Sequence, residues 1–301
     1  MLRDLILDVA TRTPVRRLAT GGPGRRVALR FVAGENLDQG LAVTRALCAG
    51  GFDVTLDYLG ENVTSADEAD AAAAVYREAI EQIAVAGLNA TVSVKPSQMG
   101  LDVDPDLAHA NIAKLTAAAA AHGSSLTLDM EDHRTTDRTI QMCLRLDGEF
   151  PGRAGIAIQT CLYRSPADLD RLAHVPVRLV KGAYKEPPEL AYPHKADVDR
   201  AFAHAVTRRM RDDGYLMIAT HDERLLRFAV RRAAEAGRDP STFEFQMLYG
   251  IRRDVQRRLA ADGYRVRVYV PFGSQWYPYL VRRLAERPAN LTFFLSALAR
   301  R

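Results

Sequence analysis

The sequence lacks the patterns that mark several classes of protein. Its three cysteines, Cys48, Cys143 and Cys161, have neither metal-ligand spacing nor the even number of a disulfide framework, which predicts reduced thiols. No apolar run approaches the length of a membrane-spanning helix. The first ten residues lack a signal-peptide cleavage pattern, and Asp4 and Asp8 argue against a mitochondrial presequence. These absences predict a cytoplasmic protein.

The chain also lacks a cluster of charge of one sign. Its 301 residues carry a formal net charge of +4, with a pI of about 9.0, and the arginines alternate with acidic residues. Such mixing argues against a nucleic-acid-binding arm. The histidines lack zinc-ligand spacing, and no pattern predicts a hydrolytic triad. The apolar fraction of 48% and the charged fraction of 26% are typical of a soluble globular domain with a substantial core.

Glycine-rich nucleotide loops are missing too. The segment Thr20–Arg26 contains three glycines, but it follows no clear strand and lacks the Walker lysine spacing, so a linker is expected. The first predicted strand runs into Leu59-Gly-Glu-Asn without the glycine fingerprint of a doubly wound dinucleotide-binding sheet. This argues against that fold as the alternative to a barrel.

After residue 50 the sequence alternates between two periodicities. Short apolar or β-branched runs predict strands at Phe52–Leu59, Ala90–Val94, Ser125–Met130, Gly155–Ile158, Val177–Val180, Leu216–Ala219, Thr242–Met247 and Val266–Val270. Segments of helical period predict helices at Ser65–Ala86, Pro105–His122, Thr135–Phe150, Ser165–His174, Asp197–Asp213, Asp222–Ala236 and Arg252–Asp262, followed by a final helix. Eight strand–helix pairs predict an α/β fold, a (β/α)8 TIM-like barrel over residues 51–301, preceded by an N-terminal helical arm over residues 1–50.

Polar residues follow the predicted strands in succession. They are Glu61, Lys95, Asp129, Glu131, Gln159, Lys181, Thr220, His221, Gln246, Leu248 (an apolar member of the set) and Tyr269. In a barrel of this kind the chemistry lies at the carboxyl ends of the strands, so these residues predict one functional site. Ordinary salt bridges remain the alternative. An excess of cations, with Gly182 beside Lys181 allowing close approach of the backbone, favours an anionic ligand.

The final helix carries Tyr279, Arg282, Arg283 and Glu286. Residues three or four apart on a helix are surface neighbours, and two guanidinium groups suit a small carboxylate or phosphate. Glu286 is placed to pair with an arginine, and Tyr279 to cover an apolar part of the ligand. A solvated surface helix is the alternative explanation.

These motifs together resemble proline dehydrogenase. The resemblance runs from about Asp57 to Asn290 and rests on SVKPS (Ser93–Ser97), LDMED (Leu128–Asp132), RLVKGAY (Arg178–Tyr184), ATH (Ala219–His221), FEFQML (Phe243–Leu248) and YLVRRLAE (Tyr279–Glu286). The match is to the monofunctional form, and it implies a distorted barrel that binds FAD non-covalently. It also implies oxidation of L-proline to 1-pyrroline-5-carboxylate, with electrons passed to a membrane quinone.

The resemblance also implies roles for individual residues. Arg282 and Arg283 would bind the substrate carboxylate, and Glu286 would pair with an arginine. The expected lining of the substrate pocket is Lys95, Asp129, Tyr184, Leu248, Tyr269 and Tyr279. The expected contacts to FAD are Gln159, Arg178, Lys181, Gly182, Ala183, Thr220, His221 and Gln246, with Arg178 near the reactive nitrogen of the flavin. No metal site is expected, and the oligomeric state is not determined by these motifs.

Two other functions stay open on the sequence. One is methylenetetrahydrofolate reductase, another flavin barrel enzyme, although paired arginines suit a smaller acid. The other is a non-catalytic barrel that binds phosphate or another anion. We further hypothesise that Asp129 orients an arginine of the carboxylate clamp and that Lys95 sets the local positive potential. The apolar segment Leu291–Leu298 is a candidate for peripheral contact with the inner face of the membrane, although packing against the barrel is favoured, since an exposed apolar patch is costly.

Overall fold

The structure, a computed structural model, describes residues 28–61 and 63–286, with side chains described as far as residue 281. The predicted helix at the start of the chain, the linker Thr20–Arg26 and the apolar segment Leu291–Leu298 lie outside the described residues. The division of the chain at residue 50 therefore stays a prediction.

Eight parallel strands form a closed barrel in chain order. They are β1 (Asp53–Tyr58), β2 (Ala90–Val94), β3 (Leu126–Leu128), β4 (Ala154–Gln159), β5 (Val177–Val180), β6 (Leu216–Ala219), β7 (Phe243–Leu248) and β8 (Val266–Phe272). The barrel closes where β1 pairs with β8, with Leu56 opposite Val270. The predicted (β/α)8 barrel is therefore confirmed, and each observed strand overlaps a predicted one.

Helices connect the strands and cover the outside of the barrel. They are α1 (Leu37–Ala49), α2 (Ala66–Val85), α3 (Pro105–Ala121), α4 (Thr136–Glu149), α5 (Ser165–Arg171), α6 (Lys195–Arg209), α7 (Glu223–Glu235), α8 (Arg253–Ala261) and α9 (Trp276–Glu286). Several begin where a side-chain oxygen accepts a backbone N–H of the first turn, as Asn36 does for α1, Ser65 for α2 and Asp222 for α7. Helix α5 ends three residues earlier than predicted, because its chain must turn before Pro176 and β5.

The strands have two different faces. Val54, Leu56 and Val92 belong to the main apolar core and are fully buried. The alternate positions carry buried polar side chains such as Thr55, Asp57 and Ser93. Successive side chains of a strand point to opposite faces, so the apolar residues pack on the helices while the polar residues fill the inside of the barrel. A polar interior is what makes the site described below possible.

Helix α1 precedes the first strand and packs on β1 and β8. Its Gly40 lies against Phe272, close to the seam where the barrel closes. Among the helices within residues 28–61 and 63–286, none is long and apolar enough to cross a membrane.

Candidate active site

Asp129 is the centre of a buried polar cluster just beyond β3. Its Oδ1 accepts hydrogen bonds from Arg178 Nη1 (2.6 Å) and Ser93 Oγ (2.9 Å), and its Oδ2 accepts one from the hydroxyl of Tyr269 (2.7 Å). Lys95 Nζ lies 3.7 Å from the same carboxylate. Burial would raise the pKa of Asp129, but Arg178 and Lys95 outweigh it and lower that pKa, so the carboxylate stays charged.

Lys95, which follows β2, has a second acidic partner that the sequence analysis did not identify. Its Nζ lies 2.5 Å from Asp57 Oδ1, and both side chains are almost completely buried. Burial alone would lower the pKa of Lys95, but the carboxylates of Asp57 and Asp129 hold that pKa well above its usual value. The sequence offered a weak signal for Asp57, because it is an acidic residue two positions after Thr55 in an otherwise largely apolar strand, and so lies on the same face as Thr55.

Arg178 crosses the inside of the barrel from β5. Its Nε donates to Gln246 Oε1 (2.6 Å), its Nη1 donates to Ser93 Oγ (2.7 Å) as well as to Asp129, and its guanidinium lies 5.5 Å from the centre of the Tyr269 ring. Its remaining nitrogen, Nη2, is buried and has no hydrogen-bond partner within the described residues. A buried N–H donor without a partner costs free energy, so it indicates a group that a ligand would satisfy.

The turn after β5 has a conformation that requires glycine and is hydrogen-bonded to the neighbouring strand ends. Gly182 has φ +119°, a conformation that favours glycine, and a Cβ at this position would lie 2.3 Å from Cys161 Sγ. The backbone N–H of Ala183 donates to Gln159 Oε1 (3.2 Å), and Gln159 Nε2 donates to the carbonyl of Glu131 (2.8 Å). These contacts join the ends of β3, β4 and β5 into one rigid surface.

Three further predicted residues have defined local partners. Lys181 Nζ lies 2.5 Å from Asp199 Oδ1 and 3.5 Å from Asp222 Oδ2, so its charge is shared with two carboxylates. His221 Nε2 accepts a hydrogen bond from the backbone N–H of Leu248 (3.0 Å), which requires that Nε2 carry no proton and ties the end of β6 to β7. Thr220 Oγ1 accepts the backbone N–H of Asp222 (3.2 Å).

The remaining predicted residues lie on the turn after β5 and on α9. Tyr184 is half-buried after the glycine turn, whereas Tyr279 is 6% exposed and packs with Leu59 and Trp276 in a second apolar cluster. The backbone of α9 carries Arg282, Arg283 and Glu286, but their side chains lie outside the described part of the structure. The predicted clamp, and the predicted contact between Asp129 and a clamp arginine, therefore stay predictions.

The structure thus brings Lys95, Asp129, Arg178, Gln246 and Tyr269 into one cluster. It adds Asp57 and Ser93, which the sequence analysis did not assign to the site. In the described ranges, no group of three or more histidine, cysteine or acidic residues is arranged to hold a metal ion. The cluster can hold an anionic or electron-rich planar ligand against a fixed guanidinium.

The chain is similar to known proteins in both sequence and structure. The chain matches the family model described as proline dehydrogenase over residues 41–295. It is 36% identical over 303 residues to proline dehydrogenase 1 of Bacillus subtilis (strain 168), covering 100% of both chains. It is 40% identical over 304 residues to the proline dehydrogenase of Deinococcus radiodurans, covering 99% of this chain and 98% of that protein.

Among solved structures, the fold is similar to proline utilization A (PutA) from Bdellovibrio bacteriovorus, inactivated by N-propargylglycine. The TM-score is 0.82 at 25% sequence identity. The match covers 87% of this chain and 33% of that one, so the chain spans about a third of the length of that structure.

Proposed function

Because the chain belongs to the proline dehydrogenase family and is an oxidoreductase that acts on proline, we propose how its site performs the first step of proline catabolism. The proposed reaction removes a hydride from the ring carbon beside the nitrogen of L-proline, and a proton from that nitrogen, to give 1-pyrroline-5-carboxylate. The observation that carries the proposal is the buried Arg178–Asp129 pair, with Nη2 of Arg178 left without a partner inside the described barrel.

The proposed cofactor is FAD, which supplies the hydride acceptor when bound. Two features support a fit: the partnerless Nη2 of Arg178 suits an electron-rich ring, and the Gly182 turn allows a ligand to approach the backbone closely. A fixed cation beside such a ring favours its reduced, anionic form. The residues proposed to hold FAD are Gln159, Arg178, Lys181, Gly182, Ala183, Thr220, His221 and Gln246.

The proposed substrate site lies on the other side of the same cluster. Arg282 and Arg283 would bind the carboxylate of proline with two charged donors, and Glu286 would hold one of them in place. Lys95, Asp129, Tyr184, Leu248, Tyr269 and Tyr279 would line the pocket. Holding the substrate by its carboxylate fixes its reacting carbon, and such orientation is a large part of catalysis in a two-reactant step.

The charges of the pocket would also act on the substrate nitrogen. Proline carries a protonated amine at neutral pH, and the hydride cannot leave until that proton is lost. Nearby cations lower the pKa of an amine, so the clamp arginines and Lys95 would favour the neutral form. Asp129 would limit this effect, because its carboxylate lies 2.6 Å from Arg178 and 3.7 Å from Lys95.

We further propose that the electrons pass to a membrane quinone and that the enzyme contacts the membrane peripherally. Liposome flotation tests this with the full-length protein and with a variant lacking Leu291–Arg301. Loss of flotation on truncation identifies this segment as the contact, and equal flotation of the two proteins assigns the contact to another surface. Absence of flotation by the full-length protein contradicts peripheral binding.

The function is tested by anaerobic titration of the purified protein. We expect a flavin absorption spectrum that is bleached by L-proline and not by NAD(P)H, which reduces the flavin of the reductase that the sequence left open. A colourless protein that takes up no FAD contradicts the proposed cofactor. A flavoprotein that proline does not reduce contradicts the proposed reaction.

A further inference from the structure

A second polar layer lies beneath the active-site cluster. Glu244 on β7 is completely buried, and four donors converge on its carboxylate. Arg267 donates through Nε (2.7 Å) and Nη2 (3.0 Å), the hydroxyl of Tyr215 donates at 3.0 Å, and Gln246 Nε2 donates at 2.5 Å. Arg267 also reaches Asp53 Oδ2 (3.2 Å), which lies towards the amino ends of the strands. Glu244 therefore belongs to the barrel floor, and among its hydrogen-bond partners in the described residues only Gln246 also contacts the site.

The Gln246 side chain joins the two layers, and its direction is determined by them. A carboxylate only accepts hydrogen bonds, so the amide must turn its NH2 group towards Glu244. The amide oxygen then faces the other way, where it accepts from Arg178 Nε at 2.6 Å. The reverse orientation would set two donors against each other at Arg178 and two acceptors against each other at Glu244.

This arrangement requires Glu244 to be ionised. Burial would raise the pKa of Glu244, but the charge of Arg267 and the hydrogen bonds from Arg267, Gln246 and Tyr215 outweigh burial and lower that pKa. A protonated acid would use one oxygen as a donor and lose its ability to accept from all four groups. The floor of the barrel thus keeps a strong acceptor under Gln246 throughout the neutral range.

We propose that Glu244 is a positioning residue that acts through the Gln246 amide to hold the Arg178 guanidinium, and hence its free Nη2, in one orientation. The inference rests on the proposed function for its effect on flavin, because Arg178 is the residue proposed to lie by the reactive nitrogen. The Gln246 side-chain amide, through its two hydrogen bonds, thereby transmits the charge state of Glu244 to Arg178. Neither Glu244 nor Arg267 needs to touch the cofactor for this role.

The decisive variant is Glu244→Gln. Its side chain has nearly the same shape, but it offers one acceptor oxygen where the carboxylate has two, and it adds an NH2 group. Arg267 and Gln246 then compete for one oxygen, and the Gln246 amide is free to turn. Arg178 loses its fixed acceptor, so the reduced flavin loses part of its stabilisation.

Two measurements follow the effect, and the first needs no flavin. In the flavin-free protein, the NMR signal of the Arg178 Nε–H group can be assigned by its absence from the spectrum of Arg178→Lys. This signal should shift or broaden in Glu244→Gln. In the holoenzyme, the midpoint potential of the flavin should become more negative, and flavin reduction by saturating proline should slow about tenfold, as expected for loss of one orienting hydrogen bond.

Matched controls separate positioning from stability. Tyr215→Phe removes another donor to the same carboxylate, and Asp53→Asn removes another partner of Arg267, yet neither side chain contacts Gln246 in the hydrogen bonds above. Both should lower the thermal midpoint and leave the Arg178 signal and the flavin potential close to wild type. Equal effects of Glu244→Gln and Tyr215→Phe on the potential would overturn the proposal.

A double variant and a conservative variant complete the test. In a Gln246→Met background, Glu244→Gln should cause no further change in potential, because the connecting amide is gone; an additive change would overturn the relay. If Glu244→Gln does not fold, Glu244→Asp keeps the charge for Arg267 but withdraws the carboxylate from Gln246, and an unchanged Arg178 signal in that variant overturns the proposal. A moved Arg178 signal in a protein that takes up no FAD would count against the proposed function alone.

Discussion

At the scale of single residues, the site is a set of buried charges that neutralise one another. Two cations, Lys95 and Arg178, face two carboxylates, Asp57 and Asp129, at distances between 2.5 and 3.7 Å. Buried charges are tolerated when they are paired in this way. Removal of one partner leaves the other as an uncompensated buried charge, which is strongly destabilising. Substitutions in this cluster should therefore alter the ionisation of their neighbours as well as the contact they remove.

Lys95→Met should shift the pH dependence of the reaction. One cation fewer raises the pKa of the bound amine, so the rate of flavin reduction at saturating proline should rise at a higher pH than in the wild type. The control is Lys114→Met, which removes an exposed lysine from α3 and should leave the profile unchanged. An unshifted profile in Lys95→Met would show that this lysine has only a structural role.

Arg283→Met should weaken proline binding and spare FAD. Loss of one charge-assisted contact to the carboxylate costs about 1.5–3 kcal/mol, which corresponds to a KM for proline roughly 10- to 150-fold higher. Arg257→Met on α8 makes the same change at an exposed position and should not alter KM. Wild-type kinetics in both Arg283→Met and Arg282→Met would refute the clamp.

At the scale of elements, the turns at the carboxyl ends of the strands do the positioning. The β5–α6 turn holds Gly182 at φ +119°, and its next residue is tied to Gln159 at the end of β4. Gln159 in turn donates to the carbonyl of Glu131 after β3, so a change in the backbone of the Gly182 turn should also move the residues that follow β3 and β4. The turn tolerates a side chain poorly, because the added carbon would meet Cys161.

Gly182→Ala should lower both stability and FAD retention. The strain of a positive φ costs about 1–3 kcal/mol for a non-glycine residue, and the contact with Cys161 adds to it. Gly237→Ala is the matched control, because Gly237 has φ +61° with no atom within 4 Å of an added Cβ. We expect the control to lower the thermal midpoint by less and to keep its FAD, as measured by the flavin-to-protein absorbance ratio. Equal FAD retention in the two variants would mean that this turn is not a cofactor contact.

At the scale of the whole molecule, the closed barrel determines which groups meet solvent. Cys143 lies on α4 against the core and Cys161 follows β4, and both are buried, whereas Cys48 is partly exposed near the end of α1. Burial raises the pKa of Cys143 to about 12 and that of Cys161 to about 11. Reactive thiolate at these two positions is therefore scarce at neutral pH.

Iodoacetamide at pH 8 should consequently label the native protein slowly and only at Cys48. All three thiols should react in denaturant, where burial no longer raises their pKa values. Mass spectrometry gives the number of labelled cysteines per chain. The variant Cys48→Ser should carry no label when it is treated in the native state. Rapid native labelling of Cys143 would mean that α4 separates from the barrel readily.

The sequence by itself determined the order of the elements and most of their bounds to within about two residues, although the helix predicted at Asp197–Asp213 is observed at Lys195–Arg209. Alternation with a period of two and helical periods of 3.6 are local properties, so the strands Ala90–Val94, Val177–Val180 and Leu216–Ala219 were predicted to the residue. The same locality placed Lys95, Asp129 and Gln159 at strand ends, where a barrel brings functional groups together. The division of the chain at residue 50, the clamp side chains and the roles of individual residues stay predictions.

Only the tertiary structure decided which buried groups pair across the barrel. Arg267 on β8 donates to the carbonyl of Val54 on β1, 213 residues away in the chain, and Glu244 joins Arg267 to Gln246. Sequence periodicity indicates the face on which a side chain lies, but not its partner on another strand, because that depends on register and on closure of the sheet. For this reason only the closed barrel identifies Lys95 as the partner of Asp57 and Gln246 as the link from Glu244 to Arg178.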